Sequence, residues 1–245
     1  QTAATYAAGR PLAMTSMPHL NYITTHSWEF VTTDSAASAT AFSTGHKTHY
    51  EGVSVEPGTT KAQETDPAFQ FRTLVQEAED RGWKTGLVAT ARITHATPAA
   101  FAAHRANRNS YEAIAEDLRS SGVDVLLGGG RRHFADRGDG RDLLSDFSDE
   151  GYTVVDDAKG VRKARRSAGQ LIGLLDPKDP PPMQADEPRK MSLTEMTSSS
   201  LSVLDRGNDE GFFLMVEGSQ IDWEGHELDG PGVIAETLDF DRAVA

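Results

Sequence analysis

The 245 residues carry 37 Asp and Glu against 24 Lys and Arg, for a formal net charge of −13, and no Cys. That length supports one large domain or two small ones. The acidity argues against a nucleic-acid-binding surface, which needs clustered Lys and Arg. Without thiols there is no disulfide framework, thiolate zinc site or Cys nucleophile, so oxygen and imidazole must hold any metal.

No run of about 18 apolar residues occurs, so no membrane span is expected, and no leader peptide precedes Gln1. The first residue is not Met, which reads as a processed or cut N-terminus and leaves the compartment illegible.

In chain order, Gln1 to Ala8 reads as helix and is followed by an irregular stretch through Pro11 and Pro18. Thr33 to Gly45 is a helix of small residues that Gly45 stops. His46 to Asp66 is loop, with Gly52, Pro57 and Gly58. Phe69 to Arg81 has helical spacing and stops at Gly82. Lys84 to Thr90 is a strand, and Pro98 starts a helix that carries Arg108 at its far end. Tyr111 to Ser120 (helix), Val123 to Leu127 (strand), Leu143 to Glu150 (helix), Tyr152 to Val155 (strand) and Leu171 to Leu175 (strand) continue the alternation.

Asp176 to Arg189 is a Pro-rich surface loop. Ser192 to Arg206 is a helix started by Ser192 or Thr194, and Gly211 to Val216 is an apolar strand. The alternation predicts an α/β fold with a largely parallel, buried central sheet and helices on both faces. Gly128-Gly129-Gly130 lacks dinucleotide-fingerprint spacing and reads as a tight strand-to-helix turn. Arg137-Gly138-Asp139 carries too little information to be more than loop.

Three stretches carry candidate chemistry. Ser35 opens the small-residue helix, where unpaired N–H groups and a positive partial charge suit a hydroxyl that attacks phosphate. Alternatively, Asp34 or Ser35 simply caps that helix. Glu217, Asp222 and His226 follow the last strand, at the carboxyl end where ligands gather in open sheets. Asp222 and His226, four apart, share a helical face and suit zinc, while Glu217 suits a harder cation. The same three also read as solvated acids and a surface His. His95 and Thr97, two apart on an extended segment, point the same way, and Thr97 could ligate magnesium weakly. Arg108 offers a planar fork for phosphate oxygens or is an ordinary surface residue.

Taken together, these segments resemble the alkaline phosphatase family. The resemblance rests on Asp34 to Ala41 with Ser43-Thr44-Gly45 and Lys47-Thr48, on His95 to Ala99, and on Asn107-Arg108-Asn109. It extends through Leu127 to Gly130 and Gly211 to Leu214, leading into Glu217-Gly218, and spans essentially the whole chain. It implies hydrolysis of small-molecule phosphate monoesters through a phosphoseryl intermediate on Ser35, assisted by two zinc ions and one magnesium ion. Arg108 would clamp the phosphate, oriented by Asp34. His95, Thr97 and Glu217 fall at or near magnesium positions, and Asp222 and His226 match ligands of one zinc, with Ser35 on the other.

His95 stands where some members have Asp, and Trp223 where others have Lys or His. Both changes predict looser magnesium or product phosphate. The resemblance further implies one α/β domain over residues 1–245, incomplete at both ends, because an upstream Asp-Gly segment, a downstream Asp-His pair and a later His are missing. The segment alone is therefore expected to bind zinc weakly and turn over little. A homodimer and a periplasmic or secreted location also follow from the resemblance. The rival readings are a non-catalytic phosphate- or metal-binding derivative of the fold and a serine acyl hydrolase. The latter lacks its Gly-x-Ser-x-Gly elbow.

Overall fold

The computed structural model describes residues 1–19 and 21–245. The first helices are α1 (Thr2–Ala8), α2 (Ser35–Thr44) and α3 (Leu74–Glu79); α3 is opened by a capping box in which Thr73 and Gln76 exchange hydrogen bonds. Strand β1 (Lys84–Arg92) leads through α4 (Ala96–Ala99) and α5 (Tyr111–Ser120) to β2 (Val125–Gly129). Then come α6 (Arg132–Ala135), α7 (Leu143–Asp149), β3 (Thr153–Val155), α8 (Ala158–Ala164) and β4 (Leu171–Leu174). The chain closes with α9 (Leu193–Leu204), β5 (Phe212–Glu217), α10 (Gln220–His226) and α11 (Gly230–Val244). The five strands form one sheet in the order β3-β4-β2-β1-β5, and every pair is parallel.

Seven consecutive buried residues in β1 mark a strand covered on both faces, and the period of two divides its side chains between two cores. Leu87, Ala89 and Ala91 join Leu126, Ile172 and Met215 on one face, backed by Val75 of α3, Ile114 and Leu118 of α5, and Phe147 of α7. Val88 joins Val125, Leu127 and Leu171 on the other, backed by Val161 of α8, Met196 and Val203 of α9, and Phe240 of α11. The expected α/β sheet with helices on both faces is the fold.

The expected helix over Phe69 to Arg81 is much shorter. Phe71 is extended, its N–H donating to Ser54 O, and helix begins only after the Thr73 cap. The helix after Pro98 ends at Ala99, so it does not carry Arg108. Arg105 is instead drawn into an antiparallel bridge with Val53, its buried guanidinium held by Glu64 and Asp117. Arg108 therefore rides on an irregular segment.

The stretch 176–189, expected to lie on the surface, is partly buried. Lys178 O accepts from Gly130 N (2.7 Å), Asp179 pairs with Arg92 (2.6 Å), and Arg189 is buried between Glu236 (2.6 Å) and Asp239 (2.5 Å). Gly129 permits this approach, because a Cβ there would stand 2.3 Å from Lys178 O. The Gly-rich turn is a strand-to-helix turn, with Gly130 at φ 84° before α6.

Candidate functional site

β1 and β5 lie side by side, with Ala89 in register with Glu217, so their carboxyl ends open together. Gln220 locks the next element in place: its N–H donates to Thr90 Oγ1 (3.2 Å), and its side-chain amide donates to Thr90 O (3.2 Å) and Pro180 O (2.7 Å). That positions α10, with Asp222, Trp223 and His226, beside the loop that follows β1. α2 packs against α4 on the same side, and its buried Ala36, Ala37, Ala39, Thr40 and Ser43 are small enough for close approach.

Ser35 is the first residue of α2. The Asp34 carboxylate caps the helix, accepting from Ala36 N and Ala37 N (both 3.1 Å). Two of the helix-start amides expected to face phosphate are thus already engaged. Asp34 also accepts from Arg108 Nη1 (3.0 Å) and Glu51 N (3.3 Å). The capping role and the contact with Arg108 coexist in one carboxylate.

Arg108 Nη2 lies 3.0 Å from His95 Nε2. Guanidinium only donates, so Nε2 is the acceptor and the imidazole is neutral with its hydrogen on Nδ1. Burial first, then the charges of Arg108 and Arg92, push the His95 pKa down to about 3, in agreement with a neutral ring. His95 Nδ1 is buried without a hydrogen-bond partner. The Trp223 ring meets His95 edge-on at 5.6 Å.

His95 is extended as the N-cap residue of α4, but Thr97 already lies inside that helix, so the two do not share a strand face. His95 turns to Arg108, and Thr97 turns to Glu217. Glu217 is partly buried, and burial raises its pKa; the hydrogen bond from Ser219 Oγ (2.6 Å) and the neighbouring Thr97 hydroxyl, which itself is buried without a hydrogen-bond partner, oppose the rise, and the nearby Asp222 charge adds to it. A carboxylate so placed, served by neutral hydroxyls and close to a second acid, suits a cation bound through oxygen.

Ser35, Thr97, Glu217 and Gly218 line one cleft of about 500 Å³, together with Phe42, Phe101 and Phe240. Asp222 and His226 do face each other across one turn (3.4 Å), but their side chains are 70% and 77% exposed. Among the described residues, no three His, Asp or Glu side chains converge as a metal cage. By donor type, Thr97 and Glu217 could serve a hard cation and Asp222 and His226 could supply two of the ligands a zinc ion needs.

Glu51, not singled out by sequence reasoning, reaches into this arrangement. Its C=O accepts from Arg108 N (2.9 Å), and its carboxylate accepts from the Asn107 and Asn109 side chains (2.8 and 3.5 Å). It lies in a loop without periodicity, and a single Glu next to Gly52 carries no signal of its own.

A sequence model of the family described as alkaline phosphatase matches residues 1–245. The chain belongs to the alkaline phosphatase family. It is 42% identical over 218 residues to alkaline phosphatase 3 of Bacillus subtilis (strain 168), which covers 86% of this chain and 44% of that protein. It is 32% identical over 260 residues to alkaline phosphatase of Escherichia coli (strain K12), covering 86% and 53%.

Among solved structures, alkaline phosphatase from the Antarctic bacterium TAB5 superposes with a TM-score of 0.86 at 34% identity, over 99% of this chain and 68% of that one. Thermus thermophilus alkaline phosphatase gives 0.88 at 31%, over 100% and 51%. The chain spans about half the length of the curated relatives it matches. No helix among the described residues is long and apolar enough to cross a membrane.

Proposed function

We propose that the protein containing these residues hydrolyses phosphate monoesters, with Ser35 as phosphoryl acceptor. The observation that carries this reading is Arg108, fixed at Nη1 by Asp34 and at Nη2 by His95, directly beside the start of the Ser35 helix. Of the five N–H donors of a guanidinium, those two contacts use two and leave three for phosphate oxygens.

Ser35 Oγ releases its proton to solvent and attacks phosphorus, the phosphorus–oxygen ester bond breaks, and the alcohol leaves with a proton from solvent. Water then attacks the phosphoserine, orthophosphate departs, and the Ser35 hydroxyl is restored. Asp34 keeps Arg108 oriented, and neutral His95 holds its second nitrogen. Trp223 packs edge-on against His95.

In this reading Thr97 and Glu217, with His95 close by but turned to Arg108, would hold magnesium, and Asp222 and His226 would supply two ligands of one zinc, with Ser35 at a second. Bound metals would lower the pKa of the attacking hydroxyl and of water, and offset developing charge. The family's homodimeric state, a periplasmic or secreted location and one α/β domain over residues 1–245 belong to the same proposal.

The test is acid quench of the natural protein during turnover of a radiolabelled phosphate monoester, followed by peptide mapping. Label on the Ser35 peptide, absent in Ser35→Ala, is the expected result. Orthophosphate binding without label would make the protein a non-catalytic derivative. Chelator-insensitive hydrolysis of carboxylic esters would point to acyl transfer.

A further inference from the structure

Glu51 is a non-Gly residue at φ 68°, in the left-handed region that disfavours a side chain. Such a conformation persists where surrounding contacts over-determine it. Here every polar group of the residue is engaged, and every contact leads to one place. Its N–H donates to Asp34 Oδ1 (3.3 Å) and its C=O accepts from Arg108 N (2.9 Å). Its Oε2 accepts from Asn107 Nδ2 (2.8 Å) and its Oε1 from Asn109 Nδ2 (3.5 Å), the two residues that flank Arg108.

The segment that carries Arg108 has no regular secondary structure to hold it, since α4 ends at Ala99 and α5 begins only at Tyr111. Asn109 is steadied from its other side by the Tyr111 hydroxyl (2.8 Å), which in turn accepts from Arg92 (2.9 Å).

We infer that Glu51 is a positioning residue for phosphoryl transfer: it clasps the Arg108 segment on both sides and ties it to Asp34, so that the guanidinium is set before the substrate arrives. The inference rests on the reading of Arg108 as the phosphate clamp. A clamp displaced by a fraction of an ångström loses much of its effect on the reacting group, because its hydrogen bonds must meet the transition state already oriented. The left-handed backbone turns the Glu51 N–H toward Asp34 while its carboxylate reaches the two Asn residues.

The test is a double-mutant cycle in the natural protein, assayed with p-nitrophenyl phosphate in buffer containing zinc and magnesium. Glu51→Gly accepts φ 68° without strain and keeps both backbone contacts, but removes the carboxylate that holds Asn107 and Asn109 on either side of Arg108. It is expected to leave Tm within about 2 °C of wild type. It should lower kcat/KM and weaken orthophosphate binding, measured by calorimetry, each by about tenfold. Glu51→Gln, which keeps one acceptor oxygen, should recover part of both.

In an Arg108→Ala background Glu51→Gly should have no further effect on either quantity. An unchanged kcat/KM in Glu51→Gly, or an equal loss with and without Arg108, overturns the inference. A wild-type protein that binds orthophosphate without turning over the ester defeats the catalytic reading alone, and the binding arm of the cycle still decides Glu51. A wild-type protein that does neither defeats both.

Discussion

At the residue scale, one carboxylate serves two purposes that are usually rivals. Asp34 satisfies two amides of α2 and, on its remaining faces, Arg108 and Glu51. Helix capping and clamp orientation therefore cannot be separated at this position, and the cap is what gives Arg108 a rigid anchor. Ser35, Thr97 and Glu217, which the resemblance groups together, line one cleft. That Asp34 occupies two helix-start amides was not legible in the sequence, because a capping side chain and a phosphate compete for the same N–H groups and no local pattern says which one is bound.

The neutral histidines set the protein's response to acid. His133 accepts from Arg132 Nε at Nε2 (3.2 Å), so its Nδ1 hydrogen points to Thr94 Oγ1 (2.7 Å). Burial first, then Arg132 and Arg92, lower its pKa to about 4. The unfolded chain thus binds a proton that the folded chain refuses. The stability from this group is complete above about pH 6.5 and is lost as pH falls toward 4. In His133→Gln the fall in unfolding free energy between pH 7 and pH 5 should shrink by about 1 kcal/mol, measured by urea denaturation. His95 and His104 are shifted in the same direction and keep part of the slope in the variant.

At the element scale, the site depends on the segment 176–189 lying across the end of β2. Arg92 receives Asp179 from that segment, and Gln220, which sets the start of α10, donates to Pro180 O. A Cβ at Gly129 would meet Lys178 O at 2.3 Å and Pro180 Cδ at 2.8 Å, and backbone cannot yield as a side chain can. Gly129→Ala is expected to cost about 2 kcal/mol of stability and to lower kcat/KM, read by thermal unfolding and steady-state kinetics. Unaltered kinetics would show that α10 keeps its place without the segment.

Periodicity revealed the existence and type of most elements because burying one face forces apolar residues to recur with the backbone's own period. Composition identified 176–189 as a loop but not its buried anchors, because Pro-rich polar sequence reads as surface, whereas Arg189 is held inside by Glu236 and Asp239, with Arg242 beside Asp239.

At the scale of the whole molecule, charge is the difficulty. A chain of net charge −13 repels a phosphate dianion, and near Ser35 the Arg108 charge is already shared with Asp34. Bound divalent ions would reverse the local field. Dialysis of the natural protein against EDTA should therefore abolish phosphatase turnover and lower Tm, and zinc with magnesium should restore both. Turnover that survives chelation would mean that Arg108 alone suffices.

What the sequence by itself determined is the parallel α/β architecture, the family, and the residue types that meet at the strand ends. Each of these is written in local order, as period, cap or motif. Only the tertiary structure decided that Arg108 sits on an irregular segment rather than a helix, that Glu51 clasps it, and that residues 176–189 brace the site. Those outcomes come from hydrogen bonds and close packing between residues 17 to 87 positions apart, and no local pattern encodes which of many compatible partners a side chain will meet.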